Sequence, residues 1–161
     1  MSAGAYLMVK FSDRSKLVPA VQQISSAAQI TKWDAVDGHY NLVLKTSDPA
    51  YLEKVKSFEG LDKVISVKLV ADNEKTEMND ELSYCYAYIE TAPDKKEEIQ
   101  NKIEALDAVF FCSPVEGNYD LVAMFSGENF DKIERVIDNT VRNYDGILRL
   151  KHDHVIFLDK L

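Results

Sequence analysis

An eight-residue pattern occurs twice in this chain, and that repetition limits the fold more than any other feature. Val36-Asp37-Gly38-His39-Tyr40-Asn41-Leu42-Val43 aligns with Val115-Glu116-Gly117-Asn118-Tyr119-Asp120-Leu121-Val122, a shared Val-acid-Gly-x-Tyr-Asx-Leu-Val. Upstream, residues 6–11 match residues 84–89, each followed by a polar stretch and an amphipathic segment. Downstream, residues 62–67 match residues 145–150, with an offset larger by about one helical turn. An extra turn inserted in the second copy's last helix keeps the apolar face in register. The expected organisation is therefore a first repeat over 1–72, a polar connection over 73–81 and a second repeat over 82–161.

Each copy reads as strand, helix, strand, strand, helix, strand. Residues 5–11 are apolar and β-compatible, and Ser12 and Asp13 offer helix caps. Leu17, Val21, Ile24 and Ala28 then recur at helical spacing, with Pro19 tolerable only in the first turn. Residues 30–37 and 40–45 form a hairpin around Gly38, and Asp48-Pro49 opens a helix striped by Leu52, Val55 and Phe58. Residues 64–70 alternate as a strand with one covered face. In the second copy Tyr84, Tyr86 and Tyr88 share one strand face, and Ile99, Ile103 and Leu106 stripe a helix started by Pro93-Asp94. Residues 109–115 and 119–125 form its hairpin, and Phe130, Ile133, Val136, Ile137 and Val141 stripe the longer last helix.

A βαββαβ unit is an antiparallel four-stranded sheet with both helices on one face. Its other face must be covered, and here both faces of the strands carry apolar or aromatic residues. The nearest cover is the other copy's sheet, held close by a short connection. The expected class is thus α+β: two tandem ferredoxin-like units packed sheet to sheet, an internal pseudo-dimer of the dimeric α/β-barrel type. Sheet edges could also recruit a second chain.

Composition narrows the function. A net charge of −8 argues against nucleic-acid binding, which needs clustered Lys and Arg. Residues 82–161 hold most of that charge, with nine bases against fifteen acids. The longest apolar runs are a handful of residues, too short for a membrane helix. The start, Met1-Ser2-Ala3-Gly4-Ala5-Tyr6, lacks the basic and apolar stretch of a leader, and two cysteines suit a reducing, cytoplasmic setting.

The motifs at 5–10 and 36–45, and Glu116-Gly117-Asn118-Tyr119-Asp120-Leu121-Val122 most closely, resemble the effector-binding domain of the Lrp/AsnC family of regulators. Asp145-Gly146-Ile147 resembles that domain's final turn. The likeness spans nearly the whole chain, twice, but family members carry an N-terminal helix-turn-helix of about 50 residues. Here the first strand begins within a few residues of Met1, so a tandem effector domain without a DNA-binding module is expected. The family's Asp is Asn41 in the first hairpin, and its Thr-rich last strand is Ile65-Ser66-Val67-Lys68 and Leu148-Arg149-Leu150-Lys151.

The resemblance implies an amino-acid-like ligand at the hairpin loops, held by Gly38, His39, Tyr40 and Asn41 and by Gly117, Asn118, Tyr119 and Asp120. A glycine turn lets backbone N–H groups approach a carboxylate. Asp120, charged where Asn41 is not, suits an ammonium group. Turn chemistry alone also accounts for Gly and Asx. His152 and His154 share a strand face and could supply two metal ligands, but no Cys or third His accompanies them. Neither metal nor cofactor is expected. The three tyrosines read as sheet packing, and Cys112 as core. The leading expectation is a non-enzymatic sensor that modulates a partner, such as a full-length regulator. The alternatives are a small dimeric α/β-barrel enzyme of monooxygenase or isomerase type, and a structural assembly module.

Overall fold

Both copies fold into the element order their periodicities predict. The computed structural model describes residues 4–75 and 77–157. Residues 1–3 of the opening read for a leader, and Thr76 of the expected connection, lie outside the described residues. The chain divides into two units, one running to Leu69 and including Ile156, the other spanning Val70–Val155. No helix among the described residues is long and apolar enough to cross a membrane.

In the first unit β1 (Ala5–Phe11), α1 (Leu17–Ile24), β2 (Ile30–Asp37), β3 (Leu42–Thr46), α2 (Tyr51–Lys56) and β4 (Leu61–Leu69) follow in order. The sheet order is β4-β1-β3-β2, antiparallel throughout. Asp13 takes the Ser15 N–H at 2.9 Å and starts a short 3₁₀ turn ahead of α1. Pro19 sits in the first turn of α1, where its missing N–H has no helical partner to lose. Ala28 departs from expectation. The helix ends at Ile24, the chain turns, and Ala27 rather than the exposed Ala28 packs on the core. Asp48 accepts from the Ala50 N–H at 3.0 Å, so α2 begins two residues after Pro49. Leu7, Val9, Ile24, Leu42, Leu44 and Val55 are fully buried beneath the helices.

The second unit repeats the plan with β5 (Ser83–Thr91), α3 (Lys96–Glu104), β6 (Val109–Gly117), β7 (Leu121–Gly127), α4 (Phe130–Asn139) and β8 (Ile147–Ile156). Its order is β8-β5-β7-β6, again antiparallel. Asn129 caps α4 by accepting from the Lys132 N–H at 2.9 Å. α4 has 10 residues where α2 has 6, which is the inserted turn read from the offset. Cys85, Ala87, Ile89, Ile99, Ile103, Ile133 and Ile137 form the core between helices and sheet.

Both cysteines are free and buried. Burial pushes each thiol up to about 12, with Glu134 and Asp153 adding to the effect at Cys85 and Glu104 at Cys112. Thiolate, the reactive species, is thereby suppressed at neutral pH. A disulfide-exchange reagent at pH 8 should label neither thiol in the folded protein within the time that labels both in denaturant. Rapid labelling of the native chain would show the core to be open.

Candidate functional site

Gly38 and Gly117 leave β2 and β6 at φ 144° and 135°, a region that side chains with a Cβ rarely enter. Beyond each glycine an exposed residue, His39 or Asn118, precedes a buried tyrosine, Tyr40 or Tyr119. The Asx residue then ties the corner to the first strand of its unit. Asn41 donates its N–H to the Val9 carbonyl at 2.7 Å, and its Oδ1 accepts from the Phe11 N–H at 2.8 Å. Asp120 does the same with the Ile89 carbonyl at 2.7 Å and the Thr91 N–H at 2.8 Å. The side-chain oxygens of the two copies thus hold equivalent backbone donors, which explains why Asn and Asp interchange there. Cations lie over both tyrosine rings, Lys63 Nζ 5.7 Å from the centroid of Tyr40 and Arg149 Cζ 5.1 Å from that of Tyr119. Arg149 also donates to the Asn118 carbonyl at 3.3 Å.

The polar chemistry that sequence reasoning missed lies on the sheet faces away from the helices. In the second unit Tyr84, Tyr86, Tyr88 and Tyr119 are all at most 2% exposed. Tyr86 and Tyr88 stack with centroids 6.2 Å apart and planes within 7°, and Tyr119 tilts onto Tyr88 at 5.7 Å. Asp153 of β8 is fully buried, and its Oδ2 accepts from the Tyr88 hydroxyl at 3.0 Å. The Tyr84 hydroxyl accepts from the Asn79 N–H at 2.7 Å. In the first unit Lys32 and Asp34 of β2 approach to 3.6 Å with both side chains largely buried. Alternation along His152-Asp153-His154 was the available signal: it sends Asp153 to the face opposite the histidines. The tyrosine partner, 65 residues away, has no mark in the local sequence.

His152 and His154 lie on the helix side of β8, where the ring of His154 stacks on Phe130 of α4 at 3.9 Å. Burial lowers the pKa of His152, against the pull of Glu134 and Asp138, while Arg142 and His154 act in the same direction as burial. The histidine pair is therefore a group apart, whereas the second hairpin meets the Tyr88–Asp153 pair through the contact of Tyr119 with Tyr88.

No protein-family model matches the chain, and no curated protein matches it in sequence. Solved structures do. The siroheme decarboxylase NirDL superposes over 96% of this chain and 71% of its own, at 12% identity and a TM-score of 0.78; it is also known in complex with an iron-uroporphyrin III analogue. A Lactobacillus acidophilus protein named as a monooxygenase covers 96% of this chain and 92% of its own, at 9% identity and a TM-score of 0.54. AsnC of Escherichia coli matches 55% of this chain and 62% of its own, at 16% identity and a TM-score of 0.45. The likeness to Lrp/AsnC proteins is thus partial. The expectation of a non-enzymatic chain is corrected by these comparisons, because the proteins sharing its fold over nearly the full length bear enzyme names. The fold class is the one expected, α+β with tandem ferredoxin-like units of the dimeric α/β-barrel type.

Proposed function

We propose that the chain is a small enzyme of the dimeric α/β-barrel type, acting on a planar conjugated substrate at the tyrosine face of its second unit. The observation that carries this reading is the buried Asp153 carboxylate hydrogen-bonded to Tyr88 among stacked rings. Removing a carboxylate from water costs several kcal/mol, and apolar residues of similar volume would cover a sheet face at no such cost. A buried charge among aromatic rings suits chemistry better than packing. Aromatic faces favour a flat, polarisable ligand in offset stacking. The Tyr88 hydroxyl, with Asp153 to accept from it, orients a substrate polar group and holds a proton at Oη. NirDL, which shares the fold, binds an iron-uroporphyrin III analogue, and that supports a tetrapyrrole as the first substrate to test.

Titrating the full chain with iron-uroporphyrin III should shift the porphyrin absorbance and saturate. Tyr88→Phe and Asp153→Asn should weaken binding or turnover tenfold or more, about 1.4 kcal/mol. Mass spectrometry of the porphyrin, with and without air, separates loss of carboxyl groups from oxygen insertion. A wild-type chain that neither shifts the spectrum nor changes the porphyrin's mass refutes the tetrapyrrole assignment. Variants that behave as wild type refute the site.

A further inference from the structure

We propose that Glu134, His152 and His154 form a binding site for a divalent transition-metal ion, zinc by preference. The three come from two elements packed together: Glu134 from the half-buried flank of α4 that meets β8, the histidines from alternate positions of β8. Their ligand atoms all lie within 4.8 Å of one another, and His154 Nε2 is 2.6 Å from Glu134 Oε1. Two imidazoles and one carboxylate are the borderline nitrogen and oxygen donors that zinc takes in sites with an open position.

Ligands about 2 Å from a tetrahedral ion stand roughly 3.3 Å apart, so small side-chain rotations close the triangle. The backbone alternation already aims both rings at one face, and Phe130 stacked within 2° of the plane of His154 fixes that ring's orientation. All three residues are half-buried, open enough to admit an ion and sheltered enough to hold it. Asp138 on the same helix adds negative charge near His152, while Asp131 and the cation Arg135 line the surface hollow beside Glu134.

Arg142 is the opposing group. Its Nη2 stands 3.5 Å from His152 Nδ1, yet Asp138 at 2.8 Å and the Leu150 carbonyl at 2.9 Å hold the guanidinium more closely. The histidine contact is thus the one an ion displaces. Three protein ligands leave one tetrahedral position for water or an anion.

The test uses the full chain, freed of metal and titrated with Co²⁺, whose visible spectrum reports coordination. One Co²⁺ per chain should bind, displaceable by Zn²⁺, without the thiolate-to-cobalt bands that Cys85 or Cys112 would give. Glu134→Gln keeps the side chain's shape and should weaken binding at least about tenfold, or 1.4 kcal/mol. His154→Ala should weaken it further, and Arg142→Ala should tighten it. Because His154 also packs on Phe130, Glu134→Gln with an unchanged melting curve decides if the histidine variant fails to fold. A wild-type chain that binds no ion at micromolar zinc, or a Glu134→Gln variant that binds as wild type does, overturns the proposal.

Discussion

Tyr88→Phe should cost about 3 kcal/mol of stability, lowering the midpoint of thermal unfolding by about 6–12 °C for a chain of this size. The substitution deletes one oxygen and leaves the ring, so the stacking on Tyr86 and the tilt onto Tyr119 persist. What it removes is a hydrogen-bond donor to the fully buried Asp153. A buried carboxylate deprived of a donor bears its desolvation with less compensation, which is why breaking such a pair costs more than the pair contributes. The double variant Tyr88→Phe with Asp153→Leu should recover part of the loss, since the buried charge that the hydroxyl supported is gone. Calorimetry on the four members of this cycle checks both statements. If Tyr88→Phe melts with the wild type, the hydroxyl does not support the carboxylate. If the double variant is stable and has lost porphyrin turnover, the polar pair serves chemistry rather than folding.

Much of the fold was legible because its signals are local. A continuous apolar run marks β1, alternation marks β4 and β5, the glycine corners mark the hairpins, and the four-residue difference between α2 and α4 shows as a shift in offset. Ala28 continues the helical spacing in the sequence, but the backbone has already turned after Ile24, so the spacing there carries no helix. The polar groups were harder to see for a different reason. Tyr88 and Asp153 meet across β5 and β8, and Glu134 reaches His154 from α4, at separations of 65 and 20 residues. Strand pairing and helix packing create those neighbours, and neither leaves a motif. The hairpin residues carried a motif, but their side-chain oxygens engage backbone donors. A recurrent pattern can therefore record what a corner needs in order to close.

That account of the corner predicts unequal effects at one position. Asp120→Ala should destabilise the chain by about 2 kcal/mol, the cost of a charge-assisted hydrogen bond and of a backbone donor left without it. The donor is the N–H of Thr91, a residue 4% exposed at the end of β5, where water is slow to replace the carboxylate. Asp120→Asn should lose only a fraction of that, because Asn41 performs the same task in the first unit at the same 2.8 Å. Asn41→Ala should fall between them, with a neutral bond lost to the Phe11 N–H. Melting curves for the three variants test the ordering. If the corner were shaped for a bound ammonium group instead, Asp120→Asn would leave the melting curve alone and abolish stabilisation by added amino acids, whereas Asp120→Ala would melt as the wild type does. Amide exchange at Thr91 separates the two cases directly: it should quicken in Asp120→Ala and stay slow in Asp120→Asn, because protection follows the hydrogen bond and not the charge.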